Sequence, residues 1–169
     1  AFHLDLSTEG QKAETSRYVP LYEAKMFHHF DHRLGDGLTL IDRPVNSGWP
    51  RPSLSQLANP AFDVTPWYWI PEDELRSRMG PKNWNCDWLL AFRDVTKAGN
   101  ERTAISCIIP CCGVGHPSPL IFSKEPANRI AALQANMASI VFDFVARQKV
   151  GGSHLTYGYL NQLPMLPPS

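Results

Sequence analysis

The sequence predicts an α+β fold, in which a twisted, mainly antiparallel sheet carries a long helix from the C-terminal half of the chain. Residues 84–95 and 103–110 are two apolar segments, and turn-forming residues separate them, as in two strands joined by a short connection. Residues 126–149 carry apolar side chains at spacings of three and four, which gives a helix one apolar face. These two patterns together predict the sheet and the helix that covers it.

The first half of the chain predicts only short elements. Residues 18–30 form a dense apolar and aromatic stretch, and seven prolines follow between positions 44 and 81. Each proline removes a backbone donor and restricts the residue before it, so long elements do not persist there. We expect a helical turn at 53–58, a strand at 67–70 and a helix at 71–79, whose acidic first turn suits the helix dipole.

The second half predicts more regular elements. A third strand is expected at 119–122, beside the two strands already described. The helix at 126–149 would be about 36 Å long, and Gly151 with Gly152 would end it. A short helix is expected at 157–163. The apolar stripe of the long helix, expected to pack on the sheet, comprises Ile130, Leu133, Met137 and Phe144.

Composition limits the classes of function. The 169 residues include 16 Lys and Arg against 16 Asp and Glu, which excludes nucleic-acid binding through bulk charge alone but allows a local basic face. The length fits one domain at 18–169 after a polar lead-in at 1–17. No run of 18 apolar residues predicts a membrane span. The four cysteines lack zinc-finger spacing, which favours reduced thiols and a cytoplasmic setting.

Catalytic motifs are weak. His28 and His32 lie four positions apart and would share one face of a helix, as zinc-binding histidines do, but His29 stands where a zinc hydrolase helix carries glutamate. The tetrapeptide at 59–62 departs at Ala61 from the Asn-Pro-Pro-aromatic motif of amino-methyltransferases. We therefore predict no catalytic residue and no metal site, and keep a metal hydrolase that uses His28 and His32 as a lesser alternative.

Two polar clusters are better candidates for a binding site, since their side chains form hydrogen bonds with phosphates and base edges. The first cluster brackets the turn between the first two strands of the predicted sheet: Arg93, Thr96, Asn100 and Arg102. The second places two cations before a glycine pair that allows close approach of a phosphate backbone: Arg147, Lys149, Ser153 and His154. The structural alternative for both clusters is helix capping beside a solvated loop.

Three segments give a family resemblance over about residues 18–168. They are YVPLYEAKMFHHFDHR at 18–33, AFRDVT with NERT within 91–103, and FDFVARQKVGGSHL with QLPMLPP within 142–168. In this order they resemble the C-terminal part of large adenine-specific DNA methyltransferases of the type II restriction-modification and phage-defence kind. The last segment is also similar to the recognition domains of type I specificity subunits.

The resemblance implies a target-recognition domain that binds double-stranded DNA. In such enzymes a separate N-terminal domain of the same polypeptide binds S-adenosylmethionine and methylates the flipped adenine. This chain would then hold no cofactor and would not methylate DNA alone. The alternative is a domain that packs on the methyltransferase core or on a partner subunit, which interface-forming aromatic residues favour: Trp67, Tyr68, Trp69, Trp84 and Trp88.

We also expect a third DNA-facing group, on a rim of the apolar stretch at 18–33. It comprises Lys25, His28, His32 and Arg33. Four aromatic or apolar side chains would anchor this segment in the core: Tyr22, Met26, Phe27 and Phe30. Because imidazoles gain charge near pH 6, DNA affinity is expected to rise as the pH falls through that range.

Overall fold

The computed structural model describes residues 17–38 and 48–166, so all of the predicted lead-in except Arg17 lies outside the described residues. The strands are Tyr18–Tyr22 (β1), Tyr68–Pro71 (β2), Trp88–Phe92 (β3), Ser106–Pro110 (β4), Gly113–Val114 (β5) and Leu120–Ile121 (β6). The α-helices are Leu54–Ala58 (α1), Glu72–Met79 (α2), Ala127–Ala138 (α3), Ile140–Lys149 (α4) and Tyr157–Leu160 (α5). The predicted α+β class is confirmed.

The strands form two small sheets. One has the order β2-β1-β5, in which β1 runs antiparallel to β2 and parallel to β5. The other has the order β4-β3-β6 and is wholly antiparallel. The second sheet consists of the three strands predicted at 84–95, 103–110 and 119–122, each shorter than expected. The short elements predicted at 53–58, 67–70, 71–79 and 157–163 are also present.

Strand β3 separates two hydrophobic cores. Because successive side chains of a strand point to opposite faces, Leu89 and Ala91 pack in the first core while Phe92 packs in the second. The first core includes Tyr22, Met26 and Phe27 from the N-terminal segment. The second is formed largely by helices α3, α4 and α5 and the residues around them. The central strand thus holds the two halves of the molecule together.

The predicted single helix at 126–149 is wrong, because it breaks at Ser139 into α3 and α4, which meet at a bend of 62°. Ser139 adopts an extended conformation (φ −67°, ψ 151°). Its N–H donates to the carbonyl of Asn136 at 3.0 Å, and its Oγ accepts from the N–H of Phe142 at 3.1 Å. A serine that caps a new helix therefore overrides the continuous apolar spacing.

The break turns the apolar stripe of the second helix outward. Ile130 and Met137 of α3 are buried as predicted, but the exposed fractions of Ile140, Val141 and Phe144 are 78%, 73% and 62%. We call these three residues the α4 apolar face. Within the described residues, no single helix is long and apolar enough to cross a bilayer, although α3 and α4 pass that test as a bent pair.

The apolar stretch at 18–30 is a strand, a 3-10 turn at Ala24–Met26 and a tight reversal, not a helix. His28 and Asp31 exchange backbone hydrogen bonds of 2.7 and 3.1 Å across the reversal, and Phe30 has a left-handed φ of 58°. The predicted shared helix face of His28 and His32 is therefore wrong. Burial of Tyr22, Met26 and Phe27 is confirmed, whereas Phe30 is 72% exposed.

The capping role of Ser139 can be tested by substitution. Ser139→Ala removes the side-chain acceptor for Phe142 N–H, so we expect a loss of about 1 kcal/mol in the free energy of unfolding. Ser139→Asn retains a capping oxygen and should restore most of that loss. Chemical denaturation of the three proteins measures the difference. Equal stability of Ser139→Ala and the natural protein would show that the break does not depend on this cap.

Candidate nucleic-acid interface

The fold joins the two predicted polar clusters. Val95 and His154 form an isolated antiparallel bridge. Thr96 N–H donates to Ser153 O at 2.9 Å, and Leu155 N–H donates to Asp94 O at 2.7 Å. The connection after β3 and the loop after α4 therefore lie side by side, and we call residues 95–102 and 147–154 together the two-loop surface.

A buried carboxylate orients His154 at the edge of this surface. Asp94 is 6% exposed, and its Oδ2 lies 2.9 Å from His154 Nδ1. Because a carboxylate accepts hydrogen bonds, Nδ1 carries the proton and donates. The side chain of His154 remains 52% exposed, so its other nitrogen, Nε2, is available to a ligand.

The two-loop surface is richer in cations than the chain as a whole. It contains four Lys and Arg residues and a single acidic residue, Glu101. Its exposed polar residues include Lys97, Asn100, Lys149, Ser153 and His154. No neighbouring atom lies within 4 Å of a Cβ built on Gly151 or Gly152, so the backbone there is open to a close approach. The surface thus combines positive charge, hydrogen-bonding groups and uncovered backbone.

Three predicted DNA-facing side chains are engaged inside the protein. Thr96 is 3% exposed and its Oγ1 donates to Thr103 O at 2.7 Å. Arg102 donates to Ala138 O at 2.7 Å and to Ser139 O at 3.2 Å, at the bend between α3 and α4. Arg93 donates to Phe27 O, and burial lowers its pKa to about 10. We therefore leave these side chains out of the candidate interface.

Asp143 organises the inner side of the two-loop surface. Its Oδ1 accepts the backbone N–H groups of Thr103 at 2.7 Å and Ala104 at 2.8 Å. Arg102 and Arg147 approach the same carboxylate at 3.5 and 3.3 Å. Burial alone would raise the pKa of Asp143, but these donors outweigh it and hold the pKa below the usual value. The carboxylate therefore remains charged although it is buried.

Arg147 connects α4 to the connection after β3. Its Nη2 donates to Asn100 O at 2.9 Å and to Glu101 O at 3.0 Å, and also reaches Asp143. Its side chain is 34% exposed, so part of the guanidinium still faces solvent. Arg147 thus fixes the outline of the surface and adds charge to it.

The third predicted group, on the rim of the stretch at 18–33, adds less to the candidate interface than the two-loop surface does. Arg33 donates to three carbonyls at the end of α1, those of Leu57, Asn59 and Phe62, at 3.1–3.2 Å. Lys25 lies half-buried in the 3-10 turn. His28 and His32 are half-buried and face different neighbours.

The surroundings of His28 and His32 lower the pKa of both imidazoles, which alters the predicted pH dependence of DNA affinity. Burial lowers the pKa of His28, with Arg93 and Arg102 lowering it further. The pKa of His32 is lowered by burial and then by Arg33. Both imidazoles thus stay neutral over a wider range than an exposed histidine. A rise in DNA affinity near pH 6 through these residues is therefore not expected.

Sequence reasoning did not identify three residues that shape this site. Asp143 lies within the predicted apolar helix, and it is four positions before Arg147, a spacing typical of an ion pair on one helix. Asp94 lies within the first polar cluster, but the sequence gave it no role of its own because its partner is 60 positions away. Lys97 was assigned only to a turn, although its exposure within that turn makes it a solvent-facing cation of the surface.

The described residues contain no candidate metal centre, and the comparisons with known proteins found no match. Within residues 17–38 and 48–166, no group of three or more His, Cys, Asp or Glu side chains is arranged to hold a metal ion. No family model, curated protein sequence or solved structure matches the chain. The features that point to a function are therefore the geometry of the two-loop surface and the resemblance to DNA methyltransferases.

Asp143 provides a stability test. Asp143→Asn removes the charge shared by Arg102 and Arg147, so we expect a loss of about 1.5–3 kcal/mol in the free energy of unfolding at neutral pH. Glu101→Gln, which changes an exposed carboxylate of the same loop, should change the stability by no more than about 0.5 kcal/mol. Urea denaturation measures both variants.

The pH dependence of this effect has a defined sign. Because the native pKa of Asp143 is lowered, its stabilisation is present above the unfolded pKa of 3.8 and is lost as the pH falls through the native pKa. The difference between the natural protein and Asp143→Asn should therefore shrink only below about pH 4. A difference that is constant down to lower pH would contradict the charged role of Asp143.

His29 predicts a second, separate pH effect. Burial, followed by Arg102 and His28, lowers its pKa from 6.5 to about 4. Since the unfolded chain binds the proton first, the free energy of unfolding should fall as the pH falls from 6.5 to about 4. His29→Gln should lose this part of the pH dependence. Urea denaturation of both proteins across this range checks it, and parallel curves would contradict it.

Proposed function

We propose that this chain is the DNA target-recognition domain of an adenine-N6 DNA methyltransferase of the restriction-modification or phage-defence kind, and that the two-loop surface contacts double-stranded DNA. The observation that supports this most directly is the pairing of Val95 with His154, which merges two loops into one surface. With Arg102 left out, that surface still carries Lys97, Lys149 and the partly exposed Arg147 against one Glu, although the whole chain has no net charge. A concentrated basic surface of this kind is what attracts a phosphate backbone.

The exposed groups divide into two kinds of contact. Lys97 and Lys149 are exposed cations, suited to phosphate oxygens, which fix the position of a protein on a duplex. Asn100, Ser153 and His154 offer hydrogen-bonding groups that suit base edges, as well as phosphates and sugars. The open backbone at 151–152 allows a phosphate to come close. The groups that position the protein on the duplex and those that read the base sequence are thus neighbours on this surface.

The chemistry would belong to another domain of the same polypeptide. That domain would bind S-adenosylmethionine and methylate adenine, while this chain holds the duplex and contributes no cofactor or catalytic residue. An enzyme that must move its target base out of the helix needs one part that acts on the flipped base and another that holds the duplex. The setting we propose is cytoplasmic, where such an enzyme meets DNA.

A second candidate function is packing on the methyltransferase core or on a partner subunit. The α4 apolar face supports it, because a contiguous exposed patch of Ile140, Val141 and Phe144 is typical of an interface. Trp69 and Tyr68 of β2 are also 51% and 42% exposed. The two functions use different surfaces, so one domain can perform both.

The DNA-binding proposal is tested by measuring affinity for short fluorescent duplexes at several salt concentrations. We expect Lys97→Ala and Lys149→Ala each to weaken binding to all sequences alike and to reduce the slope of log affinity against log salt by about one. Lys124→Ala, which removes an exposed lysine from the connection before α3, is the matched control and should leave the slope unchanged.

Two outcomes would overturn the proposal. Binding that does not depend on salt, or equal effects of Lys97→Ala and Lys124→Ala, would show that the two-loop surface does not contact phosphates. A domain whose only role is packing would give no measurable duplex binding. Substitution of the exposed Phe144 would instead weaken its association with the partner domain or subunit.

A further inference from the structure

The tight turn at 28–31 holds an aromatic side chain in solvent. His28 and Asp31 close the turn through backbone hydrogen bonds of 2.7 and 3.1 Å. Phe30, the third residue of the turn, is 72% exposed and has a φ of 58°. Glycine or asparagine normally adopts a positive φ at this position, and in a bulky aromatic residue it is rare. The turn therefore exposes a large ring from a backbone conformation that disfavours it.

Nothing in the fold compensates for this conformation of Phe30. In the left-handed region the Cβ of an L residue lies too close to the following carbonyl oxygen, and an exposed ring gains little from the hydrophobic effect. Among the described residues, the other non-glycine residue with a positive φ is Asn83, whose short polar side chain tolerates it. Disfavoured backbone conformations are concentrated at ligand-binding sites. Phe30 therefore has the features of a binding residue rather than a structural one.

The turn is attached to the protein next to the two-loop surface. Arg93, two residues before that surface begins, donates to the carbonyl of Phe27 at the start of the turn. The charges of Arg102 and Glu101, both within the surface, shift the pKa of His28 in opposite directions. The turn thus borders residues 95–102. A large ligand bound on the two-loop surface would come within reach of the exposed ring.

The neighbours of Phe30 hold the turn in place. The imidazole of His29 is half-buried, and its centroid lies 6.2 Å from that of the Phe30 ring. Nδ1 of His29 lies 3.2 Å from Ser106 O in β4. The carboxylate of Asp31 accepts the N–H of Arg33 at 2.8 Å. Because the turn is already fixed, little backbone freedom is lost when the ring binds.

We propose that Phe30 inserts between two adjacent base pairs of a duplex held on the two-loop surface and kinks the DNA there. This inference rests on the proposed function. An apolar side chain that enters a base step partly unstacks it and bends the duplex, and pyrimidine–purine steps open most easily. Every base has a face on which an aromatic ring can stack. The ring would therefore add affinity for duplexes of any sequence.

The first test measures the affinity of Phe30 variants for one fluorescent duplex at several salt concentrations. Phe30→Gly removes the ring and should weaken binding about tenfold. Because the ring contacts no phosphate, the slope of log affinity against log salt should stay unchanged, unlike the slope of Lys97→Ala. Phe30→Trp keeps a stacking ring and should bind as tightly as the natural protein. Tyr18→Ala, which removes a 57% exposed ring from β1, is the matched control and should leave the affinity unchanged.

The thermal midpoints of the variants separate a binding role from a structural one. Phe30→Gly relieves the left-handed conformation, so its midpoint should rise although its duplex affinity falls. Phe30→Ala keeps a Cβ in that conformation, so it should lose the affinity without the gain in midpoint. A lower midpoint for Phe30→Gly would show that the ring serves the fold, and would overturn the inference.

A plasmid assay distinguishes insertion from other contacts of the ring. Relaxed closed circular DNA is incubated with the protein and a topoisomerase, and the topoisomers are separated after the protein is removed. A ring that separates two base pairs unwinds the helix. The natural protein and Phe30→Trp should therefore shift the topoisomer distribution, whereas Phe30→Gly, at a concentration that gives equal occupancy, should not.

The outcomes separate the two proposals. If the natural protein binds duplexes with a salt dependence but Phe30→Gly binds equally well or unwinds the plasmid equally, insertion is wrong and the proposed function stands. A Phe30 that fills a pocket of a partner protein would give this result. If Phe30→Gly weakens binding and unwinding but Lys97→Ala and Lys149→Ala leave the salt slope unchanged, insertion stands and the two-loop surface does not bind the phosphates. If no duplex binds, both proposals are wrong.

Discussion

The carboxylate of Asp143 is the point at which three parts of the second core are fixed to one another. It accepts the backbone N–H groups of Thr103 and Ala104, just before β4. It also lies near Arg102, which binds the carbonyls of Ala138 and Ser139 at the bend. A buried charge of this kind is retained only where enough donors offset its lost hydration. Here the donors are the two backbone N–H groups before β4 and the guanidinium groups of the two arginines.

This arrangement also decides where the exposed charge lies. Arg102 donates to the carbonyls of Ala138 and Ser139 at the bend. The guanidinium of Arg147 contacts both Asp143 and two loop carbonyls. Lys97 and Lys149 are left as the exposed cations of the two-loop surface. A chain with balanced charge can therefore present a basic region without a large excess of Lys and Arg. Lysine suits phosphate as a compact point charge, while the planar guanidinium suits several fixed acceptors.

The sequence predicted the elements whose pattern is local, and failed where distant partners decide. The antiparallel sheet of β3, β4 and β6 follows from apolar segments and turn residues, which are adjacent in the chain. The bend at Ser139 was missed because apolar spacing continues through it, while only the cap interaction with Phe142 reveals the break. Arg93 and Thr96 were predicted as ligand contacts by residue type, but their partners Phe27 and Thr103 were invisible to local reasoning.

The pairing of Asp94 with His154 spans 60 positions, and this separation has a consequence for the order of folding. Contacts across long stretches of chain pay a larger loop-closure entropy and form later than hairpin contacts. The β3–β4 hairpin is local, so it forms without the loop that follows α4. Residues 151–154 of that loop are exposed and are held by few hydrogen bonds, so this loop opens more readily than β3 in native-state fluctuations. Amide hydrogen exchange at 151–154 would then be faster than in β3, and a ligand held by both loops would slow it.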